Sequence, residues 1–520
     1  MERVVLIHPP SIELRYTLWD VFDLPFNLLA TAIMAQREFD VKIIDCRVNP
    51  AWKSELIEEL GKKPICVGVS VIASHVLNSI KISEFIKHKA DVPVVWGGAI
   101  PQVAPEMVLE ERCVDIIVTG EGEITFYELC KALKNKDPLS NILGIGYKED
   151  GRIKLNAPRP YINLDNFADL PFHLIEMNRY GKYLKGARFS METSRSCTNQ
   201  CTFCINAIKV KEKPYISDHT VYRAMSADVV LERIQFLIRN YGVSTISMMD
   251  ENLFCDLERC EKICKGIIER GLKISWLAST DPRQSLDAGL IRLVKKSGCT
   301  HLNMGVDSGS PRIRKLLNRD NTIEEVYRVS DIMQKEGIPL FYFFMAGLPT
   351  ETDNDLRQTM DLMVSLLRRY PENMVAHCSI YCPWPNTPMF TEAVKNGLRP
   401  PRRIADYDID PFRGVNYHSN AKFLNYLTGS RFRKLQTISF AAHFIDDKVK
   451  FFNYPWWMQK IVIFLKRFSR YRIEKDYFKF QFEPFVWKMV YILGRMGIVK
   501  KIFSGSEVIS KIRPGKKGRV

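Results

Sequence analysis

The sequence predicts an α/β protein in three parts: a doubly wound parallel-sheet domain over residues 1–150, a partial (β/α)6 barrel over 187–400, and a mainly helical, basic region over 401–520. Three observations carry this division. Five short, uniformly apolar runs precede residue 120, and strands apolar on both faces belong to parallel sheets wound with helices. Six more runs follow residue 187 at spacings of about 30 residues, the repeat of βα units. At Arg399-Pro-Pro-Arg-Arg403 the repeat stops, and aromatic and basic residues take over.

A chain of 520 residues can bury two or three cores, and its 46% hydrophobic content is that of a globular protein. Thirteen cysteines, an odd number spread widely, exclude a disulfide framework and point to a reducing compartment. The sequence is expected to open directly on a strand, with no signal peptide, and holds no run near the ~20 apolar residues that cross a bilayer. The expected location is the cytoplasm, at the inner face of the membrane if the tail binds there.

In order, the N-terminal runs are Val4 to His8, Val41 to Asp45, Ile65 to Val71, Val92 to Gly97 and Val114 to Thr119. Ligands of such sheets sit at the carboxyl ends of strands. The residues that matter are therefore Pro9-Pro10, Ser70-Val71-Ile72, Gly97-Gly98-Ala99 and Gly120-Glu121-Gly122-Glu123. Glycines there admit a bulky flat ligand close to the backbone. Neither dinucleotide nor P-loop glycine motif occurs. His75 and His88 fall on a predicted helix and read as structural or solvated. Residues 151–186, with Pro158, Pro160 and Pro171, read as a linker.

The barrel runs are Arg188 to Ser194, Thr245 to Asp250, Lys273 to Thr280, His301 to Val306, Pro339 to Gly347 and Met374 to Cys382. After the first comes Cys197-Thr-Asn-Gln-Cys201-Thr-Phe-Cys204, a C-x3-C-x2-C spacing. Three thiolates this close suit one [4Fe–4S] cluster and leave an iron without a protein donor. Structural zinc is the competing reading, but it wants two ligand pairs and no second pair follows. Cys255, Cys260 and Cys264 lie along an apparent helix from Asp256 to Arg270 and read as packed helix cysteines, not a second cluster.

With Phe203 in its aromatic place, the cysteine motif resembles that of the radical S-adenosylmethionine enzymes. The resemblance implies a TIM-type barrel whose open iron chelates the amino and carboxylate groups of S-adenosylmethionine, and reductive cleavage to a 5′-deoxyadenosyl radical. It implies that Asp250, Glu251 and Asn252 meet the methionine ammonium, and that Asp307 and Ser308 lie near the ribose. The stretch Gly347-Leu-Pro349-Thr-Glu351-Thr is similar to the family's G-[LF]-P-x-E-T, whereas Ser196 stands where many members have glycine.

Residues 1 to 145 resemble the Rossmann-like cobalamin-binding domain fused to many of these enzymes. That implies cobalamin contacts at Ser70, Val71, Gly97, Gly98, Gly120, Glu121 and Gly122. The D-x-H-x-x-G motif that ligates cobalt in other cobalamin proteins is absent, so no histidine is expected on the cobalt. Together the two resemblances imply a C-methyltransferase acting on an unactivated carbon, reduced by a flavodoxin- or ferredoxin-type donor. Competing readings are a radical cyclase or rearrangement enzyme and a non-catalytic iron–sulfur or cobalamin sensor. Methylthiolation needs further cluster cysteines, and Cys46, Cys66, Cys113 and Cys130 are too scattered. No general base is assigned.

The net charge of +16 sits mostly in the tail, where residues 448–520 hold 18 Lys and Arg against four acids. Basic residues interleaved with aromatics suit an anionic membrane surface or, less well, a nucleic acid; the plain alternative is a helical cap with snorkelling lysines. The membrane reading predicts a lipid or other apolar small-molecule substrate.

Overall fold

The computed structural model describes residues 1–10, 24–184, 188–206, 222–284, 286–319, 321–407, 424–445, 456–483 and 485. Its N-terminal sheet has seven strands: β1 (Arg3–His8), β2 (Asp40–Asp45), β3 (Val67–Ser70), β4 (Val94–Gly97), β5 (Ile116–Val118), β6 (Ile145–Glu149) and β7 (Arg152–Leu155). They run in the order β2-β1-β3-β4-β5-β6-β7, the first five parallel and the last two antiparallel. Val5, Ile7, Val67 and Val94 are wholly buried, as strands covered on both faces require. Helices Phe26–Ala35 and Gly122–Asn135 pair with each other, as do Trp52–Gly61 and Val76–Lys89. The strand order reverses between β1 and β3, the switch point where such sheets open a ligand crevice.

The expected domain boundary at 150 falls inside this sheet. Asp150 and Gly151 take φ of 50° and 73° and close a two-residue hairpin between β6 and β7, so the sheet ends at Leu155. Asp-Gly is a strong hairpin signal, but Ile153 and Leu155 are partly exposed and give no buried alternation to mark a strand.

Beyond the linker come β8 (Arg188–Met191), β9 (Ser194–Arg195), β10 (Arg223–Ala224), β11 (Thr245–Met248), β12 (Ser275–Thr280), β13 (Cys299–Asp307), β14 (Leu340–Ala346) and β15 (Met374–Ile380). Six of them form a parallel sheet ordered β15-β14-β13-β12-β11-β8, the open six-unit barrel the repeat predicts. Strands β9 and β10 stand apart as a short antiparallel pair. The two domains meet through packed aromatics: Phe189 of β8 lies edge-on to Phe26 and to Phe172 of the linker, at 6.1 and 6.0 Å between ring centroids. Tyr180 of the linker donates to Asp45 Oδ2 at 3.0 Å, and Asn386 after β15 donates to the Val103 carbonyl at 2.9 Å.

In the C-terminal region, helix Gly429–Ala442 packs on β15. Tyr426 OH donates to the Gly347 carbonyl at 2.7 Å and Arg431 Nη2 to the Glu351 carbonyl at 2.6 Å. Helix Trp456–Lys475 packs on that helix and on Asp353–Arg369, with the buried Arg472 paired to Glu483 at 2.7 Å. The capping arrangement thus holds for these elements. Ile463, Phe464, Tyr471, Phe480 and Phe485 nonetheless face outward, Phe480 and Phe485 about two-thirds exposed. The Trp456 and Trp457 side chains and residues 446–455 and 486–520, which hold much of the basic charge, lie outside the described residues.

Candidate functional site

The cysteine loop leaves β9 through Ser196, buried and at φ 67°. This left-handed conformation favours glycine, and a side chain there costs about 1 kcal/mol. Both the exit from β9 and the far side of the loop are pinned. Thr202 N donates to Leu317 O at 3.1 Å, Thr202 Oγ1 to Leu316 O at 2.9 Å, and Met389 N to Thr202 O at 3.0 Å. Phe203 packs against a small apolar cluster of Ile313, Met345, Tyr381 and their neighbours, with the Arg319 guanidinium 6.0 Å over its ring. Cys201 is buried; Cys197 and Cys204 are half-buried.

The donor set, three thiols on one short loop at the carboxyl edge of a parallel barrel, is that of a cluster with an open iron. As placed, the thiols do not converge: among the described residues no three His, Cys, Asp or Glu are arranged around one ion. Cys197 Sγ instead rests 3.7 Å from Cys255 Sγ. Cys260 and Cys264 are buried in helix Leu257–Glu269 as expected, but Cys255 precedes that helix on the turn after β11, half-buried beside the cysteine loop. The spacing groups it with the helix cysteines, but Asp256 caps that helix and leaves Cys255 on the turn before it.

The carboxyl ends of the barrel strands hold more internal charge pairing than the motifs suggested. Asp250, expected at an ammonium, is buried and accepts from Thr193 N at 2.8 Å, Thr193 Oγ1 at 2.6 Å and Ser194 N at 2.5 Å. Burial raises its carboxyl above the ordinary value although these donors oppose the shift. Asp250 therefore shapes the strand entering the cysteine loop. Asp307 at the end of β13 is bound by Arg319 at 2.5 Å, and Arg319 also pairs with Asp281. Asp281 also binds Arg283 at 2.8 Å, and Arg283 Nη2 donates to Cys201 Sγ at 3.4 Å. Burial works against the Asp281 carboxylate, but the two arginines hold its carboxyl below the usual range. Ser308 spends its hydroxyl on Thr359 and the Ser310 amide. Of the expected set, Glu251 faces solvent and Asn252 keeps a buried Nδ2 with no partner, as does Thr280 Oγ1 at the end of β12. Unpaired buried donors at this edge fit a polar ligand. Asp281, Arg283 and Arg319 were missed because none sits in a motif and Arg319 is far from its partners in sequence.

At the carboxyl edge of the N-terminal sheet, Gly98 has φ 104°, and a Cβ there would lie 2.8 Å from the Val71 carbonyl, so this close approach of the β3 and β4 turns requires glycine. Ser70 accepts from Asn27 Nδ2, and Val71 is wholly buried, its carbonyl accepting from Ile100 N at 3.2 Å. A Cβ at Gly120, φ 72°, would meet open space, while Gly97 and Gly122 line the adjoining turns. The open glycine backbone fits a flat ligand. His75 lies in the turn Ala73–His75, buried and edge-on to His8 at 4.8 Å, the structural role expected of it. Burial, aided by Arg47, pushes His8 down to about 4.

Glu121 departs from expectation. Its carboxylate turns toward the barrel, where Oε1 accepts from Arg195 Nη1 at 2.9 Å and Arg223 Nη1 at 2.6 Å, and Oε2 accepts from Ile162 N at 2.9 Å. Its glycine neighbours remain at the sheet edge, but its charge is committed to the other domain.

A model of the radical SAM superfamily matches residues 191–363, and one of the B12 binding domain matches 16–130. An uncharacterised methyltransferase of Pyrococcus horikoshii is 28% identical over 453 residues, covering 86% of this chain and 93% of that one. The anaerobic magnesium-protoporphyrin IX monomethyl ester cyclase of Rubrivivax gelatinosus is 25% identical, over 70% of this chain and 65% of its own. Among solved structures, the radical S-adenosylmethionine methyltransferase TsrM from Kitasatospora setae, with cobalamin and a [4Fe–4S] cluster bound, shares the fold with a TM-score of 0.63 at 17% identity, over 90% of this chain and 99% of that one. The cofactors are accordingly a [4Fe–4S] cluster, S-adenosylmethionine and cobalamin. The chain is an enzyme that belongs to the radical S-adenosylmethionine superfamily, in the subgroup that joins the radical domain to a B12-binding domain.

Proposed function

We propose that this enzyme is a C-methyltransferase acting on an unactivated carbon, with Cys197, Cys201 and Cys204 as the cluster ligands. The observation that carries the reading is the adjacency of the two cofactor regions: Arg195, two residues before Cys197, is bound by the carboxylates of the Gly120–Glu123 turn of the B12-binding domain. When bound, the cluster and S-adenosylmethionine supply a hydrogen-abstracting radical, and cobalamin supplies a transferable methyl group. The chain supplies position. Thr202 and Met389 pin the loop, Arg283 donates to the Cys201 sulfur, and Asn252 Nδ2 and Thr280 Oγ1 offer unpaired groups to S-adenosylmethionine. Gly120, where a Cβ would meet open space, leaves room for the corrinoid beside the turns that hold Gly97, Gly98 and Gly122. Reduction falls to a flavodoxin- or ferredoxin-type donor.

The test is anaerobic purification with iron, sulfide and corrinoid analysis, followed by an assay for 5′-deoxyadenosine and S-adenosylhomocysteine. Both products should form. The cyclase relative favours a second reading without methyl transfer, which predicts 5′-deoxyadenosine and no S-adenosylhomocysteine.

For the substrate we propose an apolar molecule met at an anionic membrane surface. Support comes from the outward-facing Phe464, Tyr471, Phe480 and Phe485 on a basic tail, since aromatics settle at headgroup depth and each nearby basic residue adds about 1 kcal/mol. No helix among the described residues is long and apolar enough to cross a membrane. Co-sedimentation with anionic liposomes should fall when Phe464, Phe480 and Phe485 are all changed to Ser; unchanged binding, or none by either form at low salt, removes the basis for a lipid substrate.

A further inference from the structure

Five charged side chains meet where the B12-binding domain touches the strand that feeds the cysteine loop. Arg195 of β9 donates Nη1 to Glu121 at 2.9 Å, Nη2 to Glu123 at 2.7 Å and Nε to Glu192 at 3.0 Å. Arg223 of β10, paired with β9, donates to the same Glu121 oxygen at 2.6 Å and stacks over Tyr161 of the linker at 4.0 Å. The side chains of Glu121 and Glu123 are only 10% and 3% exposed and that of Arg195 18%, so the pairs are little screened by water. Burial opposes the Glu121 charge, but Arg195 and Arg223 hold its carboxyl below the ordinary value.

A guanidinium is a rigid planar fork, and three carboxylates on one fork fix its orientation as well as its place. Two of the three belong to the turn at the carboxyl edge of the N-terminal sheet, and the fork belongs to the residue immediately before Ser196. Any shift of either domain edge stretches at least two of these contacts. A single surface salt bridge would leave the loop free to pivot; this arrangement does not.

We propose that Glu121 and Glu123 are positioning residues that clamp Arg195 and thereby set the separation and orientation of the cysteine loop relative to the corrinoid face of the B12-binding domain. The inference rests on the functional reading above for its purpose, but the clamp itself is a property of the chain and is measurable without substrate.

The experiment compares the full-length holoenzyme with E121Q, E123Q and R195K, which keep size and remove one charge or the fork. The first readout is the dipolar coupling between cob(II)alamin and the reduced cluster, taken by pulsed electron paramagnetic resonance. The second is hydrogen exchange of residues 194–204. Each variant should retain iron and corrinoid, broaden the distance distribution and speed exchange in the loop at least about fivefold, one disrupted network contact being worth about 1 kcal/mol. R195K should be the most affected, since it disturbs all three contacts. Wild-type distance distributions and exchange in R195K would overturn the clamp. So would an E121Q enzyme that loses corrinoid while its loop exchange is unchanged, because Glu121 would then serve the cofactor directly. A wild-type enzyme without corrinoid would sink the methyltransfer reading instead, and the exchange arm would still decide the clamp.

Discussion

The carboxyl edges of the two sheets solve opposite problems. The N-terminal edge is built of glycine turns and buried imidazole rings: Gly98 against Val71, Gly120 beside open space, His8 against His75. The barrel edge is a lattice of buried ion pairs in which Asp281, Asp307, Arg283 and Arg319 interlock around the cysteine loop, with Asp250 locked onto Thr193 and Ser194. A large flat cofactor is admitted by removing side chains; a small charged cofactor on a three-thiol loop needs that loop held rigid. The comparison teaches that acidic residues in a binding motif can serve the frame rather than the ligand.

The largest effect expected on the barrel side is chemical. Replacing Cys197, Cys201 or Cys204 by Ala should abolish the cluster and 5′-deoxyadenosine formation, read by iron analysis and chromatography; full activity in C201A would be fatal to the assignment.

Next in size is the frame. Asp250→Ala strands three donors in a buried site, so unfolding by denaturant should show a loss of about 3 kcal/mol. A loss below about 1 kcal/mol would return Asp250 to the ligand.

The two edges should also answer pH with opposite signs. His8, pushed from 6.5 to about 4, is neutral in the fold while the unfolded chain takes up a proton, so its contribution is complete above pH 6.5 and drains away as pH falls toward 4. Glu351, below β14, is raised from 4.5 to about 7, mainly by burial, so it is protonated in the fold and stability falls as pH climbs from 4.5 to 7. Each effect is roughly 3 kcal/mol at full extent. Denaturation curves across pH 4 to 8 should lose the acid-side slope in H8Q and the opposite slope in E351Q; parallel curves for both variants would erase the contrast.

The smallest effect belongs to Cys260, buried in its helix away from the loop. C260A should keep the cluster and cost about 1–2 kcal/mol. Loss of iron from it would mean that the helix cysteines do reach the site.

Much of this was legible in the sequence because it depends on local pattern. Apolar runs such as Ile65 to Val71 marked strands, and three cysteines within eight residues marked the loop. What escaped depends on who meets whom across the chain. Arg319 finds Asp281 and Asp307 only after β12 and β13 have paired, and Cys255 reaches Cys197 because β8 and β11 are neighbours. Glu121 was assigned by its glycine neighbours, yet its side chain points away from the edge its backbone lines. The β6–β7 hairpin was signalled by Asp150-Gly151 but hidden by the exposure of its outer strand.

Biosynthesis gives the interdomain clamp an order in time. The N-terminal sheet closes at Leu155 before Arg195 has been added to the growing chain, and domains formed early in synthesis fold as units. Glu121 and Glu123 therefore lack their arginine partners while the rest of their domain can already pack. Only when β9 and β10 arrive can Arg195 and Arg223 pair with them. Domain docking is thus a late maturation step, and a nascent chain released before residue 223 would carry a finished first domain with its acidic latch still open.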